Sequence, residues 1–312
     1  MTAIRNLAFQ GGGVECAAYA GAVAVAEEHG VLATTRNVAG TSAGALTAAI
    51  LAAGADAAAL HESVVRTHFG RFLDGEFGII GEIVRMVRDH GLHPGLEFCA
   101  ILRRELAHLC GDGEITMGEL SRRADSGHGR YRHLFVVTSN LTRQRAEVLC
   151  AKTQPELPVW KAVRMSIGIP IIFAPIHHEG CAYVDGGLCW DYPIKIFHGH
   201  DAPASSRDDE LLTLSETLGF ALGTRKEIGA DRHRWRSPPV QTHSLLSYLR
   251  ALGTLLTHTA NRGTLHAADV PRTIFIDDLD VSPADFDAPP EVIEELIEKG
   301  RKAAEAYFKN RG

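Results

Sequence analysis

Up to Gly54 the chain contains one unit twice: a short apolar strand, a glycine turn, and an alanine-rich helix. Ile4 to Phe9 is the first strand, Gly11-Gly12-Gly13 its turn, and Val14 to His29 its helix, stopped by Gly30. Asn37 to Ala39 ends the second strand, Gly40-Thr41-Ser42-Ala43-Gly44 is the turn, and Ala45 to Ala53 is the helix. A helix between two strands returns the chain to the same end of the sheet, so strands repeated in this way run parallel. The expected fold is therefore α/β, with a mainly parallel central sheet between helices in a three-layer α/β/α arrangement.

The remaining pattern extends that architecture. Ala55 to Phe69, Ile79 to His90 and Leu96 to Leu109 carry apolar residues at helical spacing. Leu134 to Ser139 is a compact apolar run of the kind found in a buried strand, and Ala146 to Cys150 is a shorter partner. Val159 to Ser166 reads as a helix, stopped by Gly168 and Pro170. Ile169 to Ile176 reads as a strand leading to a turn that carries Asp185. Thr213 to Leu222 and Arg272 to Ile276 are the last strands, and Glu291 to Lys309 is a closing amphipathic helix. His198 to Glu210 and Ile228 to Gln241 are polar, proline-bearing and charged, as surface loops are. No internal repeat or compositional break divides the chain, so residues 1–312 are expected to form a single domain.

Composition narrows the partners. The chain is 45% hydrophobic and 22% charged, enough apolar material for a substantial core, and its net charge of −6 offers no footprint for a phosphate backbone. Nucleic acid is not an expected partner. The N-terminus lacks the charged, apolar and small-residue series of a secretory signal, and the apolar run from Ala43 to Ala59 is broken by Gly54 and Asp56. The expectation is a soluble, cytoplasmic protein, with export by a specialised route left open. Six cysteines (Cys16, Cys99, Cys110, Cys150, Cys181 and Cys189) form no CxxC pair and no zinc-ligand spacing, which suits buried reduced thiols and no metal centre.

Chemistry concentrates at three glycine-flanked positions. The Gly-x-Ser-x-Gly pattern alone is weak, arising by chance about 0.1 times in such a chain, and Ser42 could simply cap a helix. Its place between a strand end and a helix is what suits a nucleophile, because a sharp turn exposes the hydroxyl at a helix N-terminus. Gly11, Gly12 and Gly13 can aim backbone N–H groups at an anion and so serve as an oxyanion hole. Neither a dinucleotide fingerprint nor a P-loop fits: Cys16 stands where the former needs glycine, and no lysine precedes Lys152. In Asp185-Gly186-Gly187, the glycines would leave a carboxylate uncovered beside Ser42. An aspartate with an ordinary pKa is a poor base, so such a pair requires a partly desolvated site.

These three elements, in this order, resemble the patatin-like phospholipase family. The similarity also covers Ala162-Val163-Arg164-Met165-Ser166-Ile167-Gly168-Ile169-Pro170, Phe173 with Pro175, and Asp191-Tyr192-Pro193, running from Leu7 to Phe197 and more weakly to Phe286. The resemblance implies a lipid acyl hydrolase of phospholipase A or lysophospholipase type, with a Ser42–Asp185 dyad lacking histidine and an oxyanion hole at Gly11 to Gly13. Gly40 and Gly44 would shape the nucleophile turn, and Gly186 and Gly187 the dyad loop. It implies a lipid or phospholipid substrate, transient contact with a membrane surface and no cofactor or metal, and specifies no protein activator. One departure stands out: the family's loop continues with a basic residue and glycine, whereas here Glu15 and Cys16 follow, and Glu15 is expected to disfavour strongly anionic head groups.

Two other readings compete. A Ser-His-Asp esterase would draw its base from His198, His200, His258 or His266, and a regulatory lipid-binding protein would keep the fold without turnover. Ser244 to Leu256 and Ile79 to Val87 could line an acyl pocket or rest on a bilayer, and Arg232, Trp235 and Arg236 could touch a head group. Core packing and a solvated loop are the simpler expectations for them.

Overall fold

A computed structural model describes residues 3–67, 91–126, 129–197, 215–223, 265–279, 281, 285 and 287–311. Several features singled out above lie wholly or largely outside them: 79–90, 198–210, 228–241 and 244–256, with His198, His200, His258, Arg232, Trp235, Arg236 and Phe286.

In chain order, β1 (Asn6–Phe9) leads through a 3-10 turn (Gly13–Ala17) into α1 (Ala18–Glu28) and the short α2 (Val31–Thr34). β2 (Asn37–Thr41) is followed by α3 (Ala43–Ala52) and α4 (Ala57–Arg66), whose N-terminus is capped by the Asp56 carboxylate on Ala59 N–H at 2.8 Å. Then come β3 (Gly91–His93), α5 (Leu96–Cys110), α6 (Met117–Asp125), β4 (His133–Asn140), β5 (Arg145–Leu149) and α7 (Val159–Ser166). β6 (Ile171–Phe173), β7 (Ile176–His178), β8 (Cys181–Asp185), β9 (Thr217–Gly223), β10 (Thr273–Asp277) and α8 (Pro290–Lys309) complete the described elements.

The central sheet has the order β10-β9-β1-β2-β4-β8-β7. Its first five strands are parallel, β8 and the extra partner β5 run antiparallel to β4, and β7 pairs antiparallel with β8. The mainly parallel α/β expectation therefore holds, with helices packed around the sheet. Alternate residues face opposite sides, as the pleat requires. Leu7, Phe9, Val38, Val136, Phe220 and Ile274 join the main core, whereas Ala8, Ala39, Val137 and Ala221 pack on the other face against Tyr192, Ile194 and Ile196. Burial on both faces explains why these strands read as continuous apolar runs.

Three details depart from the expectations. The helix expected from Val14 begins as a tight 3-10 turn, a common opening for an α-helix. The run from Ile169 to Ile176 is two strands in different sheets, β6 pairing with β3 and β7 with β8. Asp185 ends a strand rather than sitting in a turn. All six cysteines are free thiols. Among the described residues no helix is long and apolar enough to cross a membrane.

Candidate active site

β4 sets the spacing of the site. Thr41, the last residue of β2, pairs with Val137, and the next residue, Thr138, pairs with Asp185 at the end of β8. Ser42, which follows Thr41, and Asp185 thus stand at the same level of the sheet, two strands apart, with β4 between them. Their side chains close the gap: Ser42 Oγ donates to Asp185 Oδ2 at 2.7 Å, and both residues are buried.

Ser42 holds a backbone conformation that side-chain-bearing residues rarely adopt, φ 51° and ψ −128°, and its hydroxyl makes no capping bond to α3. Such a conformation costs about 1–3 kcal/mol and persists only where surroundings enforce it. Two contacts do so. Ser42 N–H donates to Ser166 Oγ at 2.8 Å, and that hydroxyl donates to Val137 O at 2.5 Å, bridging α7 to β4. The elbow is also packed backbone to backbone: a methyl on Gly40 would strike Gly44 O, and one on Gly44 would strike Gln10 O. Both glycines are needed for this closeness.

The dyad loop follows the same logic. A side chain on Gly186 would collide with Val137 O, and Gly187 N–H donates to Asp185 Oδ1 at 2.8 Å, fixing the carboxylate plane. Thr41 Oγ1 donates to Trp190 O at 2.9 Å, tying the nucleophile strand to this loop. Burial pushes the Asp185 carboxyl up to about 6, opposed by the hydrogen bonds from Ser42 and Gly187. Asp185 is thus a desolvated carboxyl, more basic than an exposed aspartate.

The glycine loop stands over Ser42. The Cβ position of Gly11 is 3.2 Å from Ser42 Cβ. Gly11 N–H donates to Asp191 O at 3.2 Å, so it is already engaged, whereas Gly12, which precedes the 3-10 turn, and Gly13, which opens it, have N–H groups uncommitted among the described residues. Glu15 is buried beneath the loop, its Oε2 lying 3.3 Å from the Cβ position of Gly12. Among the described residues no histidine bonds to Ser42 or Asp185; the backbone of His266 instead donates to Asp269.

Two residues of the site were quoted from the sequence without a role. Ser166 is the brace just described. Asp191 stands beside Gly11, with its Oδ2 accepting from Gln10 Nε2 at 2.8 Å. Their only sequence signal is membership of the two segments flanking Asp185 in the motif set.

Comparison with known proteins gives the chain's relatives. The uncharacterized protein YqhO of Bacillus subtilis (strain 168) is 28% identical over 316 residues, covering 96% of this chain and 97% of the relative. The uncharacterized protein R571 of Acanthamoeba polyphaga mimivirus is 29% identical over 173 residues, 55% of this chain and 53% of the relative, so the match spans about half that relative's length. Among solved structures, VipD from Legionella pneumophila superimposes with a TM-score of 0.62 at 17% identity, over 99% of this chain and 67% of that one, a likeness of fold. The family model described as patatin-like phospholipase matches residues 7–198, well over half of the sequence, and the chain belongs to that family.

Proposed function

We propose that the protein is a lipid acyl hydrolase of phospholipase A or lysophospholipase type, working through a Ser42–Asp185 dyad within one domain spanning the chain. The observation that carries this reading is the 2.7 Å bond from Ser42 Oγ to a desolvated Asp185, made by a serine held in a strained elbow. Asp185 takes the hydroxyl proton as Ser42 Oγ bonds to the ester carbonyl carbon. The oxyanion is stabilised by the Gly11 to Gly13 loop, chiefly by the N–H groups of Gly12 and Gly13, at roughly 3–4 kcal/mol per donor. Asp185 then passes the proton to the departing alcohol, leaving an acyl group on Ser42. Water, deprotonated by Asp185, releases the fatty acid and restores the serine. The same residues bind, activate and release, and the scheme uses no metal or cofactor.

The reading is tested by mass spectrometry of products from a mixed lipid extract. Wild-type protein is expected to release fatty acids and lysolipids, and Ser42→Ala and Asp185→Ala to lose this by on the order of 10³-fold or more. A fluorophosphonate probe should label Ser42 in wild type only. Vesicle binding without labelling or products would instead identify a lipid-binding protein that has kept the fold.

A further inference from the structure

Asp191 is a carboxyl to which this mechanism gives no part, yet it touches both glycine loops. Its Oδ1 fills the space where a Gly11 side chain would stand. That oxygen is 3.0 Å from the Cβ position of Gly187, the same distance as Asp185 Oδ1, so the two carboxyl groups lie no farther apart than twice that length. Gln10 Nε2 donates to its Oδ2 at 2.8 Å, while Gln10 Oε1 accepts from Leu222 N–H at 3.2 Å at the end of β9. Other titratable groups face this spot from each neighbouring element: Asp185 from β8, Tyr19 from α1, whose hydroxyl donates to Gln10 O at 2.7 Å, and Glu15 from the 3-10 turn.

We propose that Asp191 is a positioning residue that must be neutral for turnover, and that its ionisation, by placing a negative charge beside the oxyanion loop, shuts the site down at alkaline pH. The inference rests on the Ser42–Asp185 reading. A tetrahedral intermediate puts negative charge on the ester oxygen at that loop, and a carboxylate held within a few ångströms in a poorly solvated site opposes it. Neutral Asp191 leaves the loop's field intact and leaves Asp185 as the one anion of the pair.

The protonation order suits this. Burial pushes Asp191 up to about 7; the Gln10 bond opposes the rise, the Asp185 charge adds to it, and the Gly11 N–H opposes it. Asp185, up to about 6, loses its proton first. The two acids titrate as a pair, giving a form with one anion that is active between two limbs.

The test is the pH dependence of kcat/KM on a neutral, soluble ester, paired with the rate of Ser42 labelling by a neutral fluorophosphonate. Wild type is expected to give a bell. Asp191→Asn, which keeps a neutral planar group, should retain the acid limb and lose the alkaline one, gaining about tenfold or more over wild type well above neutrality. Gln10→Met removes a donor that favours the ionised form and should move the alkaline limb up by about one pH unit. An alkaline limb that is missing in wild type, or unmoved in Asp191→Asn, overturns the proposal alone. If Asp191→Asn does not fold, an unmoved limb in Gln10→Met does the same. Wild type that fails to react at Ser42 overturns the dyad reading and this proposal with it.

Discussion

A serine at a helix N-terminus ordinarily turns its hydroxyl back onto the first turn. Ser42 turns its hydroxyl to Asp185 and leaves the start of α3 without a side-chain cap. Its conformation is maintained by Ser166, whose single hydroxyl satisfies two buried backbone groups, Ser42 N–H and Val137 O. Removing it strands both. Ser166→Ala is therefore expected to cost about 1–3 kcal/mol of stability. It should also lower kcat about tenfold or more with little change in KM, since the nucleophile is misplaced while substrate binding is untouched. Urea melts and steady-state kinetics on one ester check both halves; an unchanged kcat would mean that the packed glycines hold the elbow alone. The sequence could not have assigned this role, because a serine that braces a backbone looks like any other serine near the end of a helix.

At the scale of elements, the sheet depends on segments far apart in sequence. β9 pairs with β1, β10 pairs with β9, and α8 lies along α1. Those two helices meet backbone to backbone: a side chain on Gly21 would run into Ile297 O, and one on Gly300 into Ala18 O. Leu296 and Ala304 are fully buried in the same seam, and Phe308 stacks on His29 with ring centres 4.2 Å apart. Glycine in a helix interior weakens it by roughly 1 kcal/mol relative to alanine, so these two exist for the close approach. Gly300→Val should force the helices apart and destabilise the fold by about 1–3 kcal/mol or more, while Gly30→Ala, where a methyl meets nothing but the φ of 74° is unfavourable, should cost less. Thermal melts of the two variants make the comparison; equal losses would place the constraint outside the helix seam.

For the whole molecule, what was legible in the sequence was whatever depends on local pattern. Strand, glycine turn and helix in the first units, the buried β4 run and α8 all appear near their expected limits. The helix α6 passed unnoticed because its nine residues are mostly polar, and β3 because three residues carry no period. The break between β6 and β7 was hidden within one apolar run, since hydrophobicity does not tell which sheet a strand joins. Pairing order was equally invisible, and with it the fact that Asp191 comes to rest beside Asp185. That pairing has a cost in stability whose sign is fixed. Both carboxyls are raised in the folded state, to about 6 and about 7, above the ordinary 3.8. The folded chain therefore holds protons that the unfolded chain has released, and these two groups make stability fall as pH rises from about 4 to about 7 and stay low beyond. Carboxylates held low, Glu119 by Arg123 and Arg122 and Glu147, against its burial, by Asn140, Arg145 and Tyr183, act in the opposite direction as pH falls. Replacing Asp185 and Asp191 together by asparagine isolates the first contribution, because those surface pairs are common to both proteins. The double variant should be the more stable protein above neutrality by several kcal/mol, and the difference should shrink as pH falls and vanish below about pH 3, where wild type carries both groups protonated in either state. Urea unfolding of the two proteins across that range measures it directly. A difference that did not change with pH would mean that the buried acids impose no strain on the fold, and that the dyad's basicity has some source other than burial.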